Sequence, residues 1–215
     1  MPRVYVDTNV LKFSATALHR NVPTKQKMDW AGKEIEVVIH ESRVINPNLG
    51  IKNTELKGEA DLLPRIADLS LQGKVQFVMQ FEARDESWGI PNMNSRTNQF
   101  YGAEIQYIEA PFKYSRVVAG GGRNIDHQYE FLKRVQHPRF DQLQMITGAW
   151  QGKNPKNRNQ LIDAFHLWCA EHAGVEYFLT LDFKLQKQVS LSNRPVQVQI
   201  VRPSEMLKIV GNFIP

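Results

Sequence analysis

Short apolar runs that stop on an acid constrain this chain more than any other feature. VYV at residues 4–6 runs into Asp7, and VEYFLTL at 175–181 runs into Asp182. VQFVMQF at 75–81 is followed at once by EARDE, which holds Glu82, Asp85 and Glu86. Apolar runs this short and unbroken mark strands buried on both faces, as in a parallel sheet. Helical spacing lies between them. Leu62, Leu63, Ile66, Ala67 and Leu69 recur over 59–71, a segment closed by Gln72-Gly73, and LIDAFHLWCAEHAG ends on Gly174; glycine closes helices because it accepts a left-handed conformation. Further strands are expected at IQYIEA (105–110), YSRVV (114–118) and VQVQIV (196–201). Further helices are expected over 9–19, from Asn124 or Asp126, over 140–150, and in SEMLKIV behind Pro203. Strands alternating with helices predict an α/β fold: a mainly parallel central sheet with helices on both faces.

Residues 21–56 lack a helical period and contain IEVVIH among turn residues, so they read as an insertion carrying a hairpin built on 35–40. Residues 91–152 are variable in character, with a polar stretch near 90–99 and GGGR at 120–123. The 215 residues are read as one domain, 1–215, and a 42 % hydrophobic content is enough for its core. Lys and Arg outnumber Asp and Glu by 27 to 22, which tilts the expectation toward polyanionic partners, nucleic acid first. Cys169 is the single cysteine, which excludes an intrachain disulfide and fits a reducing cytoplasm. Among Phe165, Trp168 and Ala173 it reads as a small core residue. The sequence has no secretory-signal pattern at its start, and no apolar stretch nears the roughly 20 residues of a membrane span.

In open α/β sheets ligands gather at the carboxyl ends of the strands. Asp7 and Asp182 stand there, Glu86 lies just past another strand, and Asp163 opens the apolar helix after the basic loop GKNPKNRNQ. One such acid would be an ordinary turn or cap residue. Four in one crevice repel each other and raise each other's pKa unless a positive group joins them. A hard divalent cation, Mg²⁺ or Mn²⁺, is the chemical match for carboxylate and water oxygens. No His/Cys spacing suited to zinc competes.

VYVDTNVLKF at this point resembles the opening of PIN-domain nucleases. GEADLLPRIADLSLQGK, VQFVMQF and EARDE resemble that family's second helix, second strand and second acid; LIDAFHLWCAEHAGVEYFLTLDFKL resembles its most specific segment, and VQIVRPSEML its closing strand and helix. The resemblance covers both ends and residues 59–88, leaving 21–56 and most of 91–152 unexplained. It implies a PIN-like three-layer sandwich and a metal-dependent ribonuclease, with RNA cut to a 5′-phosphate and a 3′-hydroxyl. Asp7, Glu86, Asp163 and Asp182 would be the catalytic and metal-binding acids, with Glu82 and Asp85 as rivals to Glu86. Thr8 and Asn9 would orient Asp7 or contact phosphate, and Thr180 would hold a water on the metal. Toxin members of the family pair with an antitoxin protein, and members often dimerise. PIN-like modules that have lost activity and only hold RNA or protein are the alternative.

Weaker features stay open. Lys153, Lys156 and Arg158 either hold the RNA backbone or form a solvated loop. His166, one turn from Asp163, reads as a packed histidine more readily than as a substrate contact. GGGR matches neither phosphate-loop pattern and reads as a connection. Trp88, Tyr101, Phe112 and Tyr114 are either core or base-stacking aromatics. Glu34, Glu36 and Glu41 read as a solvated face. Phosphotransfer folds with an Asp after the first strand fit less well: dehalogenase-like enzymes need DxD, and here the third position is Asn9.

Overall fold

A computed structural model describes residues 1–15, 18–87, 99–115, 124–150, 152 and 157–211. Along the chain run β1 (Arg3–Val6), α1 (Thr8–Ser14), β2 (Leu18–Trp30), β3 (Lys33–Ile45), α2 (Thr54–Asp61), α3 (Leu63–Leu71), β4 (Gln76–Gln80) and α4 (Phe81–Ser87). These are followed by β5 (Ile105–Ile108), α5 (Asn124–Leu132), α6 (Pro138–Thr147), α7 (Arg158–His172), β6 (Tyr177–Leu179), α8 (Phe183–Ser190), β7 (Gln199–Val201) and α9 (Pro203–Gly211).

Five strands form one sheet in the order β5-β4-β1-β6-β7, and every pairing is parallel. From β1 the chain builds outward through β4 and β5, then crosses to β6 and β7 on the other side. The direction of winding therefore reverses between β1 and β6. That switch point opens a crevice at the carboxyl ends of the strands. The apolar runs have the burial that their composition demands: Val4, Tyr5, Val6, Phe77, Val78, Phe178 and Leu179 are all 0 % exposed. Alternate residues feed two cores on opposite faces. Tyr5, Val78 and Phe178 pack with Phe140, Leu143, Leu161 and Phe165 of α6 and α7. Val4, Val6, Phe77 and Leu179 pack with Leu63, Ile66 and Met206 of α1's side of the sheet.

Several boundaries differ from the sequence expectation. The helix expected over 59–71 is two helices that break at Leu62, because Pro64 has no N–H to offer the carbonyl of Ala60. α1 stops at Ser14, well short of residue 19, and the chain enters β2 at Leu18. Tyr114 and Ser115 lie in no strand, and VQVQIV is a strand only over Gln199–Val201. GGGR and the rest of YSRVV lie outside the described residues.

The expected hairpin is much larger than 35–40. β2 and β3 pair antiparallel from Leu18↔Ile45 to Trp30↔Lys33. They turn through Ala31 and Gly32, both at positive φ (53° and 79°), a two-residue loop whose twist suits the strands. Thr24, Met28, Ile35, Val37, Ile39 and Trp30 share one face of this arm, since opposed residues lie on the same side. Lys25 and Lys27 on the other face pair with Glu36 and Glu34 in solvent, so those two glutamates do form a solvated face. Glu41 pairs with Arg43.

Candidate active site

A cavity of about 600 Å³ lies at the switch point. Asp7, Glu86, Asp163 and Asp182 all line it, joined by Thr8, Asn9, Lys12 and Asn159 and by the apolar Ile125 and Ile162. Asp7 follows β1, Glu86 sits on α4 after β4, Asp182 follows β6, and Asp163 comes from α7. Neither Glu82 nor Asp85 is in this lining. Glu82 is buried on the far side of α4, where it accepts a hydrogen bond from the Tyr114 hydroxyl at 2.8 Å.

Asp7 is locked by neutral groups. Its Oδ2 accepts from Asn9 Nδ2 and Thr180 Oγ1, both at 2.6 Å. Asn9 also donates to Thr180 Oγ1 (3.0 Å) and accepts from the Leu181 N–H (3.0 Å), clamping the end of β1 to the end of β6. Thr180, 1 % exposed, accepts in addition from the Asp182 N–H at 2.9 Å. Its hydroxyl is thus spent on the Asp7 clamp rather than turned toward a water on a metal. Burial raises the Asp7 pKa; the Thr180 hydrogen bond and the His166 charge oppose this, the Glu86 and Asp182 charges add to it, and the group ends at about 6.

Glu86 is held in the opposite manner. Its Oε2 accepts from Thr8 Oγ1 at 2.8 Å, and its Oε1 meets Gln128 Nε2 at 2.7 Å and His166 Nε2 at 2.8 Å. Thr8 therefore orients Glu86, not Asp7. Burial works against the charge of Glu86, but the His166 cation and these three hydrogen bonds outweigh it and lower the pKa. His166 is 1 % exposed and contacts the Tyr5 hydroxyl through Nδ1 at 2.8 Å. Burial depresses its pKa, but the Glu86 charge and hydrogen bond, helped by Asp7 and Asp163, raise it to about 9. The histidine is packed, as its apolar helix suggested, and its partner is one of the acids. Tyr5 and Gln128, which complete this chain of contacts, carry no local motif that would have revealed them.

Asp163 makes no hydrogen bond among the described residues. Burial first, then the charges of Asp7 and Asp182, push its pKa well above the ordinary carboxylate value. Asp182 caps α8, its Oδ1 accepting from the N–H groups of Lys184 (2.8 Å) and Leu185 (3.0 Å). Arg158 does not line the cavity; it pairs with Asp126 at 2.6 Å in solvent. Lys153 and Lys156 lie outside the described residues. Lys12, one turn after Thr8 on α1, supplies the basic group that the cavity lining does contain.

Among the described residues no group of three His, Cys, Asp or Glu side chains is placed to hold a metal ion as it stands. The donor chemistry nonetheless fits Mg²⁺ or Mn²⁺. Such ions are commonly held by one or two carboxylates and keep several waters, rather than sitting in an all-protein cage. Asp163, without a hydrogen-bond donor, and Asp7, with Oδ1 left over from the clamp, have oxygens to give; Glu86 is the most engaged of the three, with acceptor capacity left on Oε2 alone.

Compared with known protein families and with curated proteins, the chain matches no family and no curated relative.

Proposed function

We propose that this chain is a Mg²⁺- or Mn²⁺-dependent endoribonuclease of the PIN type, its sheet and flanking helices forming the three-layer sandwich of that family. The observation that carries the reading is the meeting of Asp7, Glu86, Asp163 and Asp182 in one cavity at the switch point. Asp7 and Asp163 would hold the cation most directly, with Asp182 beside them. The cation, when bound, supplies neutralisation of phosphate charge and makes water nucleophilic near neutral pH. The Asn9–Thr180 clamp fixes the rotamer of Asp7, so no reorganisation is needed when the site is charged. His166, Gln128 and Thr8 keep Glu86 ionised and aimed at the cavity. Lys12 stands at the rim, where its ammonium would meet the RNA backbone.

The test is cleavage of a single-stranded oligoribonucleotide with Mg²⁺ or Mn²⁺ against EDTA, for the wild type, Asp7→Asn and Asp163→Asn. Metal-dependent cleavage reduced roughly a hundredfold or more in each variant is expected, with the circular dichroism unchanged. Undiminished cleavage by both variants would refute it. A module that binds RNA without cutting it is the second reading, and the engagement of Glu86 by His166, Gln128 and Thr8 is what favours it. Metal-independent RNA binding with no cleavage at any metal concentration would decide for that alternative.

A further inference from the structure

Phe112 and Tyr114, two of the side chains with a base-stacking reading from sequence, pack instead against Phe131, Phe165 and Trp168. A different pair lies on the surface. Phe81, the first residue of α4, stacks on Tyr107 of β5 with ring centroids 4.6 Å apart and planes 12° from parallel. Phe81 is 52 % exposed and Tyr107 40 % exposed. One helical turn after Phe81, the Arg84 guanidinium lies over the Tyr107 ring, 5.4 Å from its centroid. Phe81, Tyr107 and Arg84 thus form a stack whose rings are each about half-exposed.

This stack adjoins a second cavity, of about 550 Å³, which Phe81 walls together with Glu109, Lys113 and Tyr114. Its lining includes the carboxylates of Glu82 and Glu109 and the ammonium of Lys113. That suits the mixed edge of a heterocyclic base better than a phosphate, which Glu109 would repel. The stack also stands at the correct end of the sheet. Tyr107 pairs with Met79, one residue before the carboxyl end of β4, and Phe81 and Glu86 share α4. At about 1.5 Å per helical residue, Phe81 and Glu86 lie about 7.5 Å apart along α4, on different faces of that helix. Two or three stacked nucleotides cover that span at about 3.4 Å each.

We infer that Phe81, Tyr107 and Arg84 form a nucleobase-stacking subsite, which positions an unpaired RNA base while the chain reaches the acids. The inference rests on the ribonuclease reading and adds to it the side chains that would hold a base of the substrate away from the acids. Bases inside a duplex present no free face to Phe81, whereas every unpaired base does.

Steady-state cleavage of one oligoribonucleotide, single-stranded and annealed to its complement, tests it with the wild type, Phe81→Leu and Phe81→Trp. Anisotropy of the labelled strand in EDTA measures binding without turnover. Phe81→Leu keeps an apolar side chain on a half-exposed site, and its thermal unfolding serves as the fold control. It is expected to raise KM and Kd for the single strand roughly 5- to 100-fold, with kcat within about twofold. Phe81→Trp, which restores a π-face, is expected to keep the wild-type KM. A Phe81→Leu variant with wild-type KM and Kd overturns the subsite and leaves the ribonuclease reading intact. Failure of the wild type to bind or cut any RNA overturns both.

Discussion

Asp7→Asn should make the metal-free protein more stable while abolishing its activity. The carboxylate is 6 % exposed, and its pKa is raised from 3.8 to about 6 by burial and neighbouring acids. As pH climbs from about 4 to about 6, the unfolded chain releases this proton while the folded one retains it. Stability therefore falls across that interval, and the whole penalty is present at neutral pH. The displacement corresponds to about 3 kcal/mol. Asparagine can keep both bonds to Oδ2, from Asn9 and Thr180, so little else is lost. At pH 7.5 in EDTA a gain of about 2–3 kcal/mol is expected, or roughly 5–10 °C in Tm for a chain of this size. At pH 3.5 the gain should vanish, because both states of the wild type are then protonated. Saturating Mg²⁺ should raise the wild-type Tm and leave the variant unmoved, since only the wild type gains binding energy. Urea titrations at the two pH values measure the difference directly. A variant no more stable than wild type at pH 7.5, or one equally stabilised at pH 3.5, would refute the electrostatic account of the site.

His166→Ala removes the cation that keeps Glu86 charged, and losing one member of a buried pair should cost about 3–5 kcal/mol in a urea melt at pH 7. Because the His166 pKa is raised to about 9, its contribution is complete below about pH 6.5 and fades as pH rises through 9; the wild type should lose stability between pH 7.5 and 9.5, and the variant should lack that decline. Replacing residues 18–45 by a short Gly/Ser linker should leave cooperative unfolding of the sheet domain with Tm within a few degrees. Among the described residues β2 and β3 pair only with each other, and the Asn48 side chain donates to the Phe13 carbonyl at 2.6 Å just outside the excised arm. A non-cooperative melt would show that the arm belongs to the core.

The sheet was legible because strands buried on both faces cannot alternate with polar residues, so VYV and FVM stand out even at this length. Of the arm only the hairpin around 35–40 was legible, not its length, because its polar face alternates Lys25, Lys27, Glu34 and Glu36 with apolar residues, Pro23 interrupts it, and its Ala-Gly turn is a weak hairpin signal. Pro64 did announce the break between α2 and α3, but a continuous apolar period masked it. Within the site, Asp7, Asp163, Asp182 and Glu86 were read from their positions after strands and on one helix. What holds them was hidden by separation in sequence: His166 lies 80 residues from Glu86 and 161 from Tyr5. Thr180 was singled out for its place beside Asp182, yet its use is to tie that loop to Asp7, which depends on β6 lying next to β1.

Those supports divide the acids into two kinds, and the division bears on what the cavity can accept. Glu86 has its counter-charge built in as His166, whereas Asp7 meets only neutral donors and Asp163 none among the described residues. Among the described residues of the lining, Lys12 is the one fixed cation. An RNA phosphate brought here without a metal would face an excess of negative charge in a partly enclosed, low-dielectric site, where repulsion is far stronger than in water. Under the ribonuclease reading, a divalent cation, or protons on Asp7 and Asp163, whose pKa values burial raises, would have to offset that repulsion before phosphate and acids share the cavity. RNA affinity should then divide by site: contacts at Phe81 and Tyr107 independent of metal, and contacts at the acids present only with it. A pure binding module has no reason to leave Asp7 and Asp163 uncompensated, since burying such carboxylates destabilises the fold in return for nothing. If Asp7→Asn raises stability and leaves RNA affinity unchanged both in EDTA and in Mg²⁺, the acids are not arranged for phosphate, and the nuclease reading fails with them.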